Sequence, residues 1–298
     1  MKKFQKIRNN FVYYFVVFIV GFFNVVPRKA AIFMGAIFGY TAYLLFKKDR
    51  LKAGRHLELV YGKKLALSER RIIVKRLFIN FGKNIAEVVR FRKYYFSQIQ
   101  PLIDIEGRKH FDEVYNRGKG IIAVTGHIGN FELLAAYFAN QGYNAAVIGR
   151  KMYDKRLDKF LVDNRESLNV VNIDTQDSPR RVLKALKDGY ALGVLIDTDS
   201  MRVRSEFIPA FGRLSYTPVG QTILGMKTGA GFVPMACVRN GKRYKIIVRP
   251  EIKIERTDDF DHDVYNITKK CTEALEEIID RYKDQWIWIH NRWLTKPE

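Results

Sequence analysis

Cysteine is scarce in this sequence, and basic residues far outnumber acidic ones. The 298 residues include two cysteines, Cys237 and Cys271. Two isolated cysteines argue against a disulfide framework or a thiol nucleophile, and fit packing roles in a reducing compartment. The 52 lysines and arginines against 31 aspartates and glutamates give a formal net charge of +21. That excess indicates an acidic partner, such as nucleic acid, an anionic membrane or an acidic carrier protein.

The chain also lacks three patterns that would indicate a function at once. No Gly-x-Ser-x-Gly sequence occurs, which argues against a serine hydrolase of the α/β-hydrolase type. The basic residues are dispersed and form no recognisable nucleic-acid module, so no nucleic-acid partner is expected. Asp197 and Asp199 have a spacing that metal pairs sometimes show. However, His56, His110, His262 and His290 form no ligand cluster with them. No metal site is predicted.

Charged residues are absent from two stretches near the N-terminus, 11–26 and 30–46. Each is slightly shorter than the ~20 residues that a straight bilayer span needs. No small-residue cleavage site follows the first stretch, so a cleaved signal peptide is not expected. The two stretches could form one long tilted span, two short helices broken at Pro27 in one leaflet, or a buried core helix. We expect residues 1–50 to be a retained membrane anchor and residues 51–298 to be the catalytic domain, with 51–100 as a helical lead-in.

Apolar strand candidates alternate with helical stretches from residue 101 onward. The predicted strands are 121–125, 144–148, 170–173, 191–196, 232–238 and 245–248. The predicted helices are 132–140, 155–167, 179–187, 219–227 and 265–282. This order predicts an α/β fold with a mainly parallel central sheet flanked by helices, and with ligands at the carboxyl ends of the strands. Residues 197–213 show no periodic pattern and are expected to form a long loop of the kind that often covers an active site.

One motif is more informative than the rest of the chain, Gly126-His127-Ile128-Gly129-Asn130-Phe131-Glu132. It follows an apolar run directly, which predicts a strand, a tight turn with His127, and a helix with Glu132 in its first turn. A carboxylate near an imidazole fixes its tautomer, so that the imidazole can take a proton from a hydroxyl. A histidine near an acid also occurs by chance, and the spacing alone does not decide between the two. Asp197 ends another predicted strand and can converge on His127.

Further segments flank this motif in an order that is more specific than any one of them. They are Ile105-Glu106-Gly107, Gly118-Lys119-Gly120, Arg165, Asp197-Thr198-Asp199, the stretch 207–212, Thr217-Pro218 and the tryptophan-rich stretch 286–293. With these segments the chain resembles, over nearly its whole length, the bacterial lipid A biosynthesis acyltransferases. These are the late or secondary acyltransferases of the HtrB and MsbB type, within the glycerolipid acyltransferase superfamily.

The resemblance implies transfer of a fatty acyl group from an acyl carrier protein or coenzyme A thioester to a hydroxyl of a lipid A precursor. It places the enzyme at the bacterial inner membrane, on the cytoplasmic side, and implies no cofactor beyond the acyl thioester co-substrate. His127 would be the base and Glu132 its acidic partner, and Arg165 and Asp197 match other functional positions of the family. Arg150 follows a predicted strand and is a further candidate for phosphate binding or oxyanion support.

Two other functions fit the sequence. One is an acyltransferase that acts on another glycolipid or on a lysophospholipid. The other is a membrane-tethered protein that binds an anionic ligand without catalysis, for which the charge excess is the main argument.

Overall fold

The computed structural model describes residues 2–174 and 179–297. Its α-helices are α1 Lys2–Val25, α2 Arg28–Leu45, α3 Lys47–Tyr61, α4 Leu67–Val88, α5 Phe91–Tyr94, α6 Arg108–Tyr115, α7 Phe131–Ala139, α8 Lys155–Glu166, α9 Pro179–Lys187, α10 Gly220–Thr228 and α11 Phe260–Arg281. Its strands are β1 Ile103–Glu106, β2 Ile121–Thr125, β3 Ala145–Gly149, β4 Val171–Asp174, β5 Ala191–Leu195, β6 Ser205–Ala210, β7 Arg213–Pro218, β8 Gly231–Asn240 and β9 Arg243–Val248.

Seven of these strands form one sheet in the order β1-β9-β8-β2-β5-β3-β4. All neighbours are parallel except β8 and β9, which are joined by a tight turn and run antiparallel. The predicted α/β fold with a mainly parallel sheet is confirmed. The six predicted strands lie within two residues of the observed bounds, whereas α11 begins five residues before its predicted start. β1 and α6 were not predicted.

The two faces of the sheet are packed differently. Side chains such as Ile122 and Val124 of β2 belong to a core that also contains residues of α9, α10 and α11. Ile121 and Ala123 point the other way, into a core built with residues of α6 and α7. Every residue of β2 is buried, as expected for a central parallel strand that is covered by helices on both faces.

Two further strands, β6 and β7, form an antiparallel hairpin that packs on α11. The prediction of a long loop over 197–213 was therefore wrong for the part from 205 onward, whereas 197–204 form a loop. The turn consists of Phe211 and Gly212, which both have positive φ angles, 50° and 70°. Hairpin turns of this kind normally carry Asn or Gly at the first position, so phenylalanine conceals the turn in the sequence. The Phe211 amide donates a hydrogen bond to Glu276 on α11, at 2.8 Å, which helps to hold this conformation.

The N-terminal segment contains two separate helices, and the break between them falls at Pro27. A stretch of α1, Ile7–Val25, is long and apolar enough to cross a membrane, and 6% of it is buried, so α1 is not a core helix. The next helix, α2, instead packs closely on α4. A Cβ atom on Gly39 would lie 2.2 Å from the carbonyl oxygen of Phe78, and one on Gly35 would lie 2.7 Å from that of Gly82. The division at residue 50 remains a prediction.

Candidate active site

His127 lies in a tight turn between β2 and α7, as the sequence pattern predicts. The side chain of Asn130 caps α7 by accepting a hydrogen bond from the amide of Leu133, at 3.1 Å. Gly129 has a φ angle of +58°, and a Cβ atom there would lie 2.0 Å from the carbonyl oxygen of Cys237. A Cβ atom on Gly126 would lie 2.7 Å from a carboxylate oxygen of Asp197. The two glycines therefore allow the turn to approach its neighbours closely, which fixes the position of His127.

Asp197 is the carboxylate that orients His127. Its Oδ1 lies 2.8 Å from Nδ1 of the imidazole, and its Oδ2 accepts hydrogen bonds from the His127 amide and from Nε1 of Trp286, both at 2.7 Å. A carboxylate can only accept, so Nδ1 carries the proton and Nε2 has its lone pair for another group. Asp197 is 2% exposed and Trp286 is equally buried. The arrangement is that of a histidine base held in one tautomer by a buried acid.

Glu132 does not make the hydrogen bond to His127 that the sequence led us to expect. Its carboxylate binds Arg165 through two hydrogen bonds, of 2.9 Å from Nε and 2.5 Å from Nη2. Nη1 of the same arginine donates to the side chain of Asn172, at 2.6 Å. Arg165 thus uses both edges of its guanidinium to join the first turn of α7 to β4. Asp197 hydrogen-bonds to His127 and not to Arg165.

The sheet explains why Asp197 reaches His127. β2 and β5 are adjacent and parallel, with Thr125 paired to Leu195, so the residues that follow the two strands meet at the same edge. Glu132, in contrast, lies in the first helical turn of α7, at a distance from the loop that carries His127. The two remaining members of the acidic tripeptide have structural partners: the Thr198 carbonyl accepts from Arg292 and the Asp199 carboxylate accepts from Thr295.

Burial and charge act in opposite directions on the His127–Asp197 pair. Burial alone would lower the pKa of His127, but the charge and hydrogen bond of Asp197, and then the charge of Glu132, turn the net shift upward. Burial alone would raise the pKa of the Asp197 carboxyl, but His127 and then Trp286 outweigh it, and the pKa lies well below its usual range. Asp197 is therefore ionised at neutral pH, and it stabilises the imidazolium form of His127.

A second histidine lies against the first. The ring centroids of His127 and His290 are 4.3 Å apart, and the rings meet edge to face. Burial and then the proximity of His127 lower the pKa of His290 to about 4, so this ring is neutral at neutral pH. No role was predicted for Trp286 or His290. Both lie in the tryptophan-rich segment near the C-terminus, and the unusual composition of that segment is the feature of the sequence that could have indicated a role for them.

Arg165 lies between two cavities. A polar cavity of about 340 Å³ is lined on one side by Arg165 and by the exposed Arg150, which follows β3 as predicted. Lys151 and Arg181 line it as well, together with the acids Asp158, Glu166 and Asp174. On the other side of Arg165, a narrow apolar cavity of about 50 Å³ lies beneath α7. Arg150 and Arg165 therefore face one space, but Arg150 has no contact with Asp197 or His127 among the described residues.

Neither a metal nor a thiol nucleophile is indicated by the described residues. No group of three or more histidine, cysteine or acidic side chains within 2–174 and 179–297 could hold a metal ion. Cys237 and Cys271 are both buried. Burial raises the pKa of both thiols, that of Cys271 to about 12, which disfavours the nucleophilic thiolate.

Comparison with known proteins places this chain in a family. The family model described as bacterial lipid A biosynthesis acyltransferase matches residues 1–295. The lipid A biosynthesis lauroyltransferase of Escherichia coli is 28% identical over 86% of this chain and 82% of its own length. The palmitoleoyltransferase of the same pathway and organism is 24% identical over 91% and 87%. A phosphatidylinositol mannoside acyltransferase of Mycobacterium tuberculosis is 22% identical over 72% and 68%.

Among solved structures, the 1-acyl-sn-glycerophosphate acyltransferase PlsC of Thermotoga maritima aligns with 87% of this chain and 99% of its own. The TM-score is 0.41 and the sequence identity is 15%.

Proposed function

The chain belongs to the bacterial lipid A biosynthesis acyltransferases, and we propose that it transfers a fatty acyl chain from an acyl thioester to a hydroxyl of a lipid A precursor. The donor is an acyl carrier protein or coenzyme A thioester, and no other cofactor takes part. The observation that carries the proposal is the oriented imidazole of His127, whose Nδ1 is bound by a buried carboxylate.

In the proposed reaction, Nε2 of His127 accepts the proton of the acceptor hydroxyl as its oxygen attacks the thioester carbonyl carbon. A carbon–oxygen bond forms and the carbonyl becomes an oxyanion. When the oxyanion collapses, the carbon–sulfur bond breaks and the leaving thiolate takes the proton from the imidazolium. Asp197 stabilises the imidazolium between these steps and remains ionised throughout. No covalent acyl-enzyme is formed.

Two arginines near the same edge of the sheet have a supporting role in this proposal. Arg165 is fixed by Glu132 and Asn172, so it presents its charge without having to reorganise, which is the condition for effective electrostatic support. Arg150 and Arg165 line the same polar cavity. That cavity would accept the phosphate of the donor's pantetheine arm or of the glycolipid, because guanidinium groups bind phosphate through charge-assisted hydrogen bonds.

The surface of the N-terminal helices supports a membrane location. Phe11, Phe15 and Phe18 of α1 are exposed, as are Phe33 and Leu45 of α2. An exposed apolar surface of this extent is typical of a lipid-contacting segment. The net charge of +21 favours a surface of anionic lipid, and the proposed thioester donors favour the cytoplasmic side of the inner membrane for the catalytic domain.

An acyl-transfer assay with detergent-solubilised protein tests the proposal. Radiolabelled acyl carrier protein and acyl coenzyme A donors would be offered to lipid A precursors, other glycolipids and lysophospholipids. We expect transfer to a lipid A precursor. His127→Ala should lower that rate ~10²- to 10⁴-fold, the usual contribution of a general base, while the thermal unfolding midpoint stays near that of the wild type. Full activity in this variant would refute the role of His127.

The similarity to a phosphatidylinositol mannoside acyltransferase favours one alternative, an acyltransferase for another glycolipid. Transfer to a mannosylated lipid and not to a lipid A precursor would keep the chemistry and change the acceptor. Absence of transfer to any acceptor, with ligand binding retained, would instead support a binding protein without catalysis.

A further inference from the structure

The backbone of the turn that carries His127 offers no free donor for an oxyanion. Attack on a thioester carbonyl creates a negatively charged oxygen, and a preorganised hydrogen-bond donor beside it stabilises the transition state strongly. The four amides of 127–130 all donate hydrogen bonds within the protein already, at 2.7 to 2.9 Å, to Asp197 and to the carbonyls of Gly126, Gln285 and Cys237. The donor has to come from another group.

Arg165 is occupied as well. Its Nε and Nη2 donate to the carboxylate of Glu132, and its Nη1 donates to the side chain of Asn172. The guanidinium therefore contributes charge to the polar cavity that it lines, while each of its three nitrogens has a partner inside the protein. A direct donor to the oxyanion is better sought among the side chains that touch His127.

His290 is such a side chain. Its ring meets the ring of His127 edge to face, with centroids 4.3 Å apart. An oxygen about 3 Å from Nε2 of His127 can also lie within hydrogen-bonding distance of so close a neighbour. Within 2–174 and 179–297, no group forms a hydrogen bond with either ring nitrogen of His290, and the residue is partly exposed. Its polar atoms are therefore free to bind a substrate.

The segment that carries His290 is attached directly to the catalytic pair. The Ile287 amide donates to the carbonyl of His127 at 3.1 Å, and the indole of Trp286 donates to Asp197 at 2.7 Å. Trp286 and Ile287 are both buried. The backbone leading to His290 is thus held in place relative to both members of the pair, which is the preorganisation that electrostatic stabilisation requires.

The ring of His290 is neutral at neutral pH. Burial and then the proximity of His127 lower its pKa to about 4; Asp197 opposes this shift, and Lys52 adds to it. A neutral imidazole has one N–H donor, and it avoids the repulsion that a second imidazolium would meet once His127 is protonated. Neutral histidines polarise carbonyl oxygens in other enzymes.

We propose that His290 is a second catalytic residue, whose ring N–H donates a hydrogen bond to the oxyanion that forms when the acceptor oxygen attacks the thioester carbonyl. The inference rests on the proposed function, because it assigns a donor to the intermediate of that reaction. His290 keeps its proton throughout. The proton of the acceptor hydroxyl still passes through Nε2 of His127 to the leaving thiolate.

Substitutions of His290 separate the N–H donor from the shape of the ring. His290→Phe keeps an aromatic ring against His127 and removes the donor. We expect kcat to fall ~10²- to 10³-fold, the usual cost of one missing oxyanion donor, with little change in KM for the acyl donor. His290→Gln and His290→Asn carry an amide N–H near the positions of the two ring nitrogens, and at least one of them should recover about tenfold or more. Full kcat in His290→Phe, or equal losses in all three variants, would overturn the assignment.

His56→Phe is the matched control for damage to the C-terminal segment. His56 is also partly exposed, its ring lies against that of Trp293, and its Nδ1 lies 2.7 Å from the carbonyl oxygen of Trp288. The substitution disturbs the same segment without removing a donor from the site, so kcat should stay within about threefold of the wild type. A loss equal to that in His290→Phe would show that only the packing of the segment matters.

The pH profile separates a donor from a residue that only orients His127. The charged or titratable groups that face His290 are His127, Asp197 and Lys52, whereas the pKa of His127 is set by burial, Asp197 and Glu132. In His290→Phe, kcat/KM should therefore fall at every pH, while the pH at which it declines on the acid side stays in place. A shift of that decline to lower pH would mean that His290 acts by supporting the His127–Asp197 pair, and would refute its role as a donor.

A binding measurement keeps this inference separate from the proposed function. A long-chain alkyl trifluoromethyl ketone forms a tetrahedral hydrate that resembles the intermediate, whereas the corresponding methyl ketone stays planar. Fluorine NMR on the full-length protein in detergent, with the methyl ketone as competitor, gives the preference between the two. We expect the wild type to prefer the trifluoromethyl ketone, and His290→Phe to lose ~10- to 100-fold of that preference.

That loss would support the role of His290 even if no acceptor is ever found and the proposed function fails. No preference in the wild type, or an unchanged preference in His290→Phe, would overturn the role of His290. The transfer assay then shows separately whether the proposed function still stands.

Discussion

Two carboxylates lie at the carboxyl edge of the parallel strands, and they have different partners. Asp197 is 2% exposed and contacts an imidazole, an indole and a backbone amide. The side chain of Glu132 is 14% exposed and forms a bidentate ion pair with the side chain of Arg165, which is 13% exposed. The Asp197 pair controls where a proton resides. The Glu132 pair fixes a positive charge and borders both cavities, so it shapes the space that the substrates would enter.

Of all these substitutions, Asp197→Asn should reduce activity most. The amide cannot stabilise the imidazolium, and it can donate to Nδ1 and so favour the wrong tautomer of His127. We expect kcat to fall ~10²- to 10⁴-fold in steady-state assays. Asp199→Asn is the matched control, because Asp199 contacts Thr295 and not His127; it should retain activity. Equal losses in the two variants would show that the segment is needed only for folding.

Glu132→Gln and Arg165→Lys should have smaller effects and a different kinetic signature. Each variant loses the paired geometry of the two hydrogen bonds, which lysine cannot reproduce. We expect kcat/KM to fall about 10- to 100-fold, mainly through a higher KM. Asp163→Asn removes the partner of Lys159 from an exposed ion pair on the same helix and should change neither constant.

If Glu132→Gln instead reduced kcat as strongly as Asp197→Asn, with KM unchanged, the two carboxylates would share one role. The sequence-based prediction of Glu132 as the acidic partner of His127 would then be correct in function, despite the absence of a direct hydrogen bond.

The pH dependence should also distinguish the two acids. His127 must be neutral to accept a proton, so activity rises with pH through its pKa, which lies above the usual value of 6.5. Asp197 contributes most of the upward shift and Glu132 less. The acid limb of kcat/KM should therefore lie above pH 6.5 in the wild type, move slightly to lower pH in Glu132→Gln, and move furthest in Asp197→Asn. An unmoved limb in Asp197→Asn would mean that another group titrates.

Of these substitutions, Trp286→Phe should reduce kcat least. It removes one of the hydrogen bonds to Asp197 and keeps most of the buried aromatic surface. A loss of about threefold to tenfold in kcat is expected from one missing donor. Trp288→Phe provides the comparison, since its indole donates to the carbonyl of Lys283 and not to Asp197. A larger loss in Trp288→Phe would indicate a packing effect.

Local patterns were sufficient to predict every strand of the seven-stranded sheet except β1, and the turn that carries His127. β2 is a run of apolar residues between glycines, and Asn130 is a strong helix cap, so both ends of the motif are determined within a few residues. The partner of His127 could not be predicted in this way. His127 and Glu132 are five positions apart in the sequence. The adjacency of β2 and β5, however, decides which acidic side chain lies near His127 in space.

The hairpin of β6 and β7 shows a second kind of failure. Its turn places Phe211 at a positive φ angle, which phenylalanine rarely adopts. The conformation is supported by contacts from distant parts of the chain: Glu276 binds the Phe211 amide, and the Phe211 ring lies about 6 Å from those of Trp286 and Trp288. A local sequence pattern contains no information about such contacts with distant parts of the chain.

The glycine contact between α2 and α4 determines how far the chain can be shortened. Gly35 and Gly39 fit against the backbone of Gly82 and Phe78 with no room for a side chain, so α4 loses a close-fitting neighbour if α2 is removed. Most of α1 has no such counterpart. Trimming that ends at Pro27 would discard the exposed part of α1, but it would also remove the buried Phe23 and the carbonyls of Phe23 and Val26 that accept hydrogen bonds from Arg90. Trimming through Phe46 would in addition uncover the surface of α4 on which α2 packs.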